Sequence, residues 1–123
     1  MIVYCCPDLI FATKIRATAE SLGLTTRPAR DLQALRNRLN QVDDGRANEP
    51  VSAVLVDLEL EDAAAFIREA KDHDPAITVV ACGPHVGREA MAAARDAGAD
   101  AAMPRSAFAG RLPELLEELR EGV

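Results

Sequence analysis

The sequence predicts an α/β domain in which a parallel sheet carries helices on both faces. Short apolar runs, among them 52–57 and 77–82, alternate with longer segments whose apolar residues recur every three or four positions. Strand and helix in alternation build a parallel sheet through right-handed crossovers. The runs are apolar at successive positions, so both of their faces are covered. With three Phe, one Tyr and no Trp, the core must be made of Ala, Val, Leu and Ile, which suits helices packed on a sheet.

Residues 1–6 read as the first strand. Asp8 can cap the helix after it, where Phe11, Ile15, Ala19 and Leu22 fall at helical spacing and Gly23 marks the end. Residues 24–27 form a short second strand, and Pro28 assigns it to a sheet edge. From Asp31 the spacing is helical again, with Leu32, Leu35, Leu39 and Val42 on one face. Residues 43–50 carry turn formers without periodicity and are expected to be a flexible polar loop.

The third strand, 51–57, ends on a carboxylate. Glu59, Glu61 and Asp62 precede a helix with Phe66, Ile67 and Ala70 inward, closed by Asp74-Pro75. Residues 77–82 form the fourth strand, and 83–87 turn into an alanine-rich helix that ends at Gly98. Residues 100–103 form a weak fifth strand. Leu112, Leu115, Leu116 and Leu119 give the last helix its apolar face, opposite Glu114, Glu117, Glu118 and Glu121.

The 123 residues make one domain, with enough chain to bury a core unaided. A net charge of −6 without a basic cluster argues against direct contact with nucleic acid or an anionic membrane. Three cysteines do not make a disulfide framework, and the opening residues are not leader-like, so the expected location is the cytoplasm. No apolar run approaches the ~20 residues of a membrane helix.

Five strand–helix units, Asp57 closing the third strand, and the run Ala97-Gly98-Ala99-Asp100-Ala101-Ala102-Met103-Pro104-Arg105 before the last helix resemble a response-regulator receiver (CheY-like) domain. The resemblance covers the whole chain, although only the third strand and the Gly-Ala-Asp stretch are specific. It implies a flavodoxin-like (βα)5 fold with strand order 2-1-3-4-5, and makes Asp57 the equivalent of the phosphoacceptor. The family's other site residues are altered. Its acidic, Mg²⁺-holding pair falls on Cys5, Cys6 or Pro7, with Asp8 as the only substitute; its hydroxyl residue is matched by Ala81, beside Cys82; its lysine is matched by Arg105, and the following proline by Ser106. The resemblance therefore implies a pseudo-receiver, a non-enzymatic fold kept for protein contacts, with a crevice lined by Cys6, Asp8, Asp57, Ala81, Cys82, Arg105 and Ser106 and no cofactor.

In that strand order the ends of strands three and five lie ~10 Å apart, a gap that an arginine spans. Arg105 is expected to hold Asp57 through both carboxylate oxygens. Partners are expected at the face of the fourth and fifth helices, where Ala92, Ala93 and Arg95 lie, and a homodimer is expected there. Other readings stay open: a phosphoaccepting regulator with an atypical site, or a small-ligand or metal-binding protein or enzyme using Cys6, Asp57, Cys82 and His85. The Cys and His spacings match no zinc pattern, and no nucleotide-binding fingerprint occurs.

Overall fold

The computed structural model of the chain describes residues 1–43, 46–47, 49–83 and 88–120. In chain order these form β1 (Ile2–Cys5), α1 (Leu9–Ser21), β2 (Thr26–Pro28), α2 (Leu32–Leu39), β3 (Val42–Asp43), β4 (Arg46–Ala47), β5 (Ala53–Asp57), α3 (Ala63–His73), β6 (Thr78–Gly83), α4 (Arg88–Asp96), β7 (Ala101–Pro104), α5 (Arg105–Gly110) and α6 (Leu112–Arg120). Five strands pair in parallel in the order β2-β1-β5-β6-β7. Counted within that sheet this is 2-1-3-4-5, the flavodoxin-like order.

The two faces carry separate cores because successive strand residues point to opposite sides. Val3, Cys5, Val54, Val56, Val79 and Ala81 pack with α2, α3 and α4 residues such as Leu35, Phe66 and Ala94. Ile2, Tyr4, Leu55, Val80 and Cys82 pack with Phe11 and Ile15 of α1, Phe108 of α5 and Leu112, Leu115, Leu116 and Leu119 of α6. Asp57 continues the alternation of β5 and lies on the α1/α6 side, at the carboxyl end of a strand whose five residues are all buried.

Local chemistry starts the helices where the sequence placed them. Asp8 Oδ1 accepts from the N–H groups of Ile10 (2.9 Å) and Phe11 (3.2 Å), and Asp31 Oδ1 accepts from Ala34 N–H at 2.7 Å. Such caps contribute about 1 kcal/mol each. The Gly-Ala-Asp stretch also has a physical reason. Gly98 has φ +115°, and a Cβ there would come 3.1 Å from Lys71 Cγ. Asp100 Oδ2 accepts from Val79 N–H (2.8 Å) and pairs with Lys71 Nζ (2.6 Å), tying the end of α3 to the entry of β7.

Three local expectations are corrected. Within the polar stretch 43–50, Arg46–Ala47 pairs antiparallel with Val42–Asp43, a hairpin too short to show alternation in the sequence. Val42 is not on the inner face of α2: that helix stops at Leu39, Gln41 takes φ +62°, and Val42 is 48% exposed. The last helical segment is two helices, α5 and α6. Pro113 explains the break, since a proline lacks an N–H and clashes with the carbonyl four residues back, yet fits the first turn of a helix. Residues 84–87, including His85 and most of the expected turn, lie outside the described residues, as do Asp44, Gly45 and Asn48 of the polar stretch.

Candidate functional site

Register decides which residues meet at the carboxyl ends of β1, β5 and β6. Asp57 lies opposite Cys82, and Val56 lies opposite Ala81. Ala81 therefore points into the opposite core, and the residue beside Asp57 on this strand is Cys82. A shift of one residue along a strand reverses the face. On the other flank, Cys5 is buried toward α2 and α3, whereas Cys6 reaches the Asp57 side.

Asp57 is 1% exposed, and both of its carboxylate oxygens are occupied. Oδ1 accepts the backbone N–H of Glu59 at 2.9 Å, two residues ahead. Oδ2 accepts from Arg105 Nη2 at 2.5 Å and from the Cys6 thiol at 3.4 Å. The ion pair is formed through one oxygen only. The expected two-oxygen fork does not form: Nη2 alone donates to Asp57, and Nη1 donates to Asp8 instead.

Arg105 in turn serves three acids. Its Nη2 also donates to Glu59 Oε2 (3.3 Å), and its Nη1 donates to Asp8 Oδ2 (3.4 Å). The guanidinium carbon lies 4.8 Å from the centroid of the Phe11 ring, which itself meets Phe108 edge-on at 5.5 Å. A cation over an aromatic face is stabilised by the ring quadrupole. Burial opposes the charge on Arg105, but Asp57 and Glu59 outweigh it and raise its pKa.

The thiols keep their protons. Burial pushes Cys6 and Cys82 up to about 12, with Asp57 acting in the same direction on both, while a backbone hydrogen bond from Asp8 and the charge of Arg105 pull Cys6 back only in part. Cys5 is raised further still, by burial and then by Cys6. All three are free cysteines. Ser106 is exposed on the first turn of α5 and is not among the hydrogen-bond partners of Asp57.

The Mg²⁺ that a receiver fold implies does not fit these residues. That ion demands near-octahedral oxygen ligation. Here the guanidinium of Arg105 lies among the carboxylates of Asp8, Asp57 and Glu59, and a protonated sulfur stands beside Asp57. Among the described residues, no three His, Cys, Asp or Glu side chains are grouped to hold a metal.

Two participants went unread in the sequence. Glu59 had a local signal, because an aspartate commonly accepts from the backbone N–H two residues on. Phe11 had none: it reads as an inward helix residue, and only the packing of α1 against α5 brings it to Arg105.

No protein-family model matches the chain, and no curated protein matches it in sequence. Solved structures do match in three dimensions. The receiver domain of NtrX from Brucella abortus is 22% identical, with 98% of each chain covered and a TM-score of 0.77. A response regulator from Thermotoga maritima is 20% identical over 98% of this chain and 94% of its own, with a TM-score of 0.72. The phosphorylated cyanobacterial phytochrome response regulator RcpA is 16% identical over 98% and 90%, with a TM-score of 0.76. Strand order and near-complete overlap thus agree that this chain has the fold of response-regulator receiver domains.

Proposed function

We propose that this chain is a cytoplasmic signalling module that uses the receiver fold without phosphorylation. The observation that carries the reading is the Arg105 guanidinium seated on Asp57 Oδ2, with Asp8 and Glu59 beside it. Phosphoryl transfer to a carboxylate depends on a free oxygen in line with the donor and on cations that neutralise the incoming charge. Both oxygens of Asp57 already accept hydrogen bonds, and the one cation beside it among the described residues is shared among three acids. Nor do the protonated thiols supply a nucleophile, which speaks against an enzyme. Free thiols throughout the described chain favour a reducing compartment. Among the described residues, no helix is long and apolar enough to cross a membrane.

Incubation with acetyl phosphate and millimolar Mg²⁺, followed by intact-mass spectrometry, is expected to leave the mass unchanged. A phosphoadduct that forms on this chain and is absent from Asp57→Asn would show a working phosphoacceptor and overturn the reading.

The signal passes to another protein through the outward faces of α4 and α6. Ala92, Ala93 and Arg95 are exposed on α4, and Glu114 and Glu118 on α6. Short side chains allow close approach, and the opposite charges let α4 of one copy meet α6 of a second. In support of a modular role, NtrX also occurs as a longer chain, 26% of which this chain covers. Light scattering is expected to show the average mass rising above the monomer as concentration increases. A monomeric mass across a wide concentration range removes the self-association.

A further inference from the structure

We propose that the cavity beside the Arg105–Asp57 pair binds a small apolar carboxylate. It measures about 380 Å³ and is lined by Cys6, Pro7, Leu9, Arg30 and Leu60, which come from the turns after β1, β2 and β5 and from the start of α1. β1 and β5 are neighbours in the sheet, yet α1 packs on one face and α3 on the other. That makes their junction the point where connections diverge, which is where open α/β sheets open a crevice for ligands. The volume lies within the range of small-molecule sites, which are mostly apolar with a few polar groups.

The lining defines the ligand. Pro7, Leu9 and Leu60 are apolar, and the Cys6 thiol is turned to Asp57 Oδ2 and the Asp8 carbonyl, so its sulfur meets the cavity as an apolar atom. Leu9 is 72% exposed, a large hydrophobic side chain that a ligand body would cover. Arg30 is the one charged side chain among the described lining residues, and it makes no ion pair or hydrogen bond among the described residues. An unengaged guanidinium fits a carboxylate as a fork. A phosphate monoester is disfavoured, because its second charge would find no cation, with Asp8 and Glu59 already outnumbering Arg105 nearby. The ligand is therefore a monoanion with an aryl or branched-alkyl body.

Such a ligand touches Cys6, which donates to the same oxygen of Asp57 as Arg105 does. Occupancy would thus be read at the strand ends without any phosphoryl group, an input that goes beyond the signalling role proposed above. The test is a titration of ¹⁵N-labelled protein with phenylacetate and 4-methylpentanoate, with phenylacetamide and inorganic phosphate as comparisons. Saturable shifts of the Cys6, Leu9, Arg30 and Leu60 amides are expected with the acids. Binding should weaken by roughly tenfold or more with the amide and in Arg30→Gln, as when a charged hydrogen bond is lost. Arg30 is exposed, so the dispersed spectrum of the variant serves as its own folding control. No saturable shift with either acid, equal binding of acid and amide, unchanged binding in Arg30→Gln, or tighter binding of phosphate would each overturn the proposal. None of these outcomes depends on whether Asp57 accepts a phosphoryl group.

Discussion

Arg105→Ala is expected to lower stability by about 2–3 kcal/mol, and Asp57→Asn by only about 1 kcal/mol. The two residues form one ion pair, but the two changes leave different remainders. Without Arg105, Asp57, which is 1% exposed, loses its counter-charge among the described residues, and Asp8 and Glu59 lose the cation between them. Burying an unpaired charge is among the most destabilising changes a fold can suffer. With Asp57→Asn the buried charge is gone, the amide oxygen can still accept the Glu59 N–H, and Arg105 keeps Glu59, Asp8 and the Phe11 ring. The Arg105 side chain is 22% exposed, which places its loss at the lower end of the range for breaking a buried pair. The melting temperature of Arg105→Ala should fall on the order of 10 °C. Melting curves of the two variants at neutral pH decide the matter, and equal losses or the reverse order would mean that the pair does not carry this load.

Stability should also collapse in mild alkali. The folded chain raises the pKa of Cys5, Cys6 and Cys82, the last two to about 12. An unfolded thiol ionises near ~8.5. Above that pH the unfolded chain releases protons that the folded chain keeps, so the unfolded state binds fewer protons and stability falls as pH rises. The contribution is complete below the unfolded value and is lost progressively toward pH 12. Each retained proton costs about 1.4 kcal/mol per pH unit, so the two buried thiols, Cys5 and Cys82, together cost on the order of 3 kcal/mol per unit once both titrate. Cys6, only half buried, adds to the loss in the same direction. Arg105 does not offset this, because its own pKa is raised and it stays charged throughout the window. Urea midpoints at pH 8, 9 and 10 should drop steeply for this chain and much less for Cys5→Ala/Cys82→Ala. A flat profile in this chain, or the same slope in the double variant, would show that the thiols are not the cause.

What could be read in advance follows from the range of each interaction. Asp8 was legible as a cap because an N-cap reaches only two or three residues along the chain, and Gly98 because a positive φ is a property of one residue. The leucine face of α6 was legible for the same reason, since four side chains at helical spacing declare the buried side. The placing of Cys82, and not Ala81, on the Asp57 side of the sheet has the opposite origin. A strand that is apolar on both faces gives no alternation, so nothing in 77–82 says which residue will stand opposite Asp57. The hairpin formed by β3 and β4 was missed because two-residue strands are too short to show a period.

The sequence by itself determined the parallel sheet, the cap at Asp8 and the acid at the end of the third strand. Each is a matter of residue type or short-range spacing. Only the tertiary structure decided that Arg105 meets one oxygen of Asp57 and shares itself with Asp8 and Glu59, that Phe11 lies under it, and that Arg30 faces an apolar cavity. These contacts join side chains from separate strand–helix units, whose meeting is fixed by the register and packing of the whole sheet rather than by any local pattern.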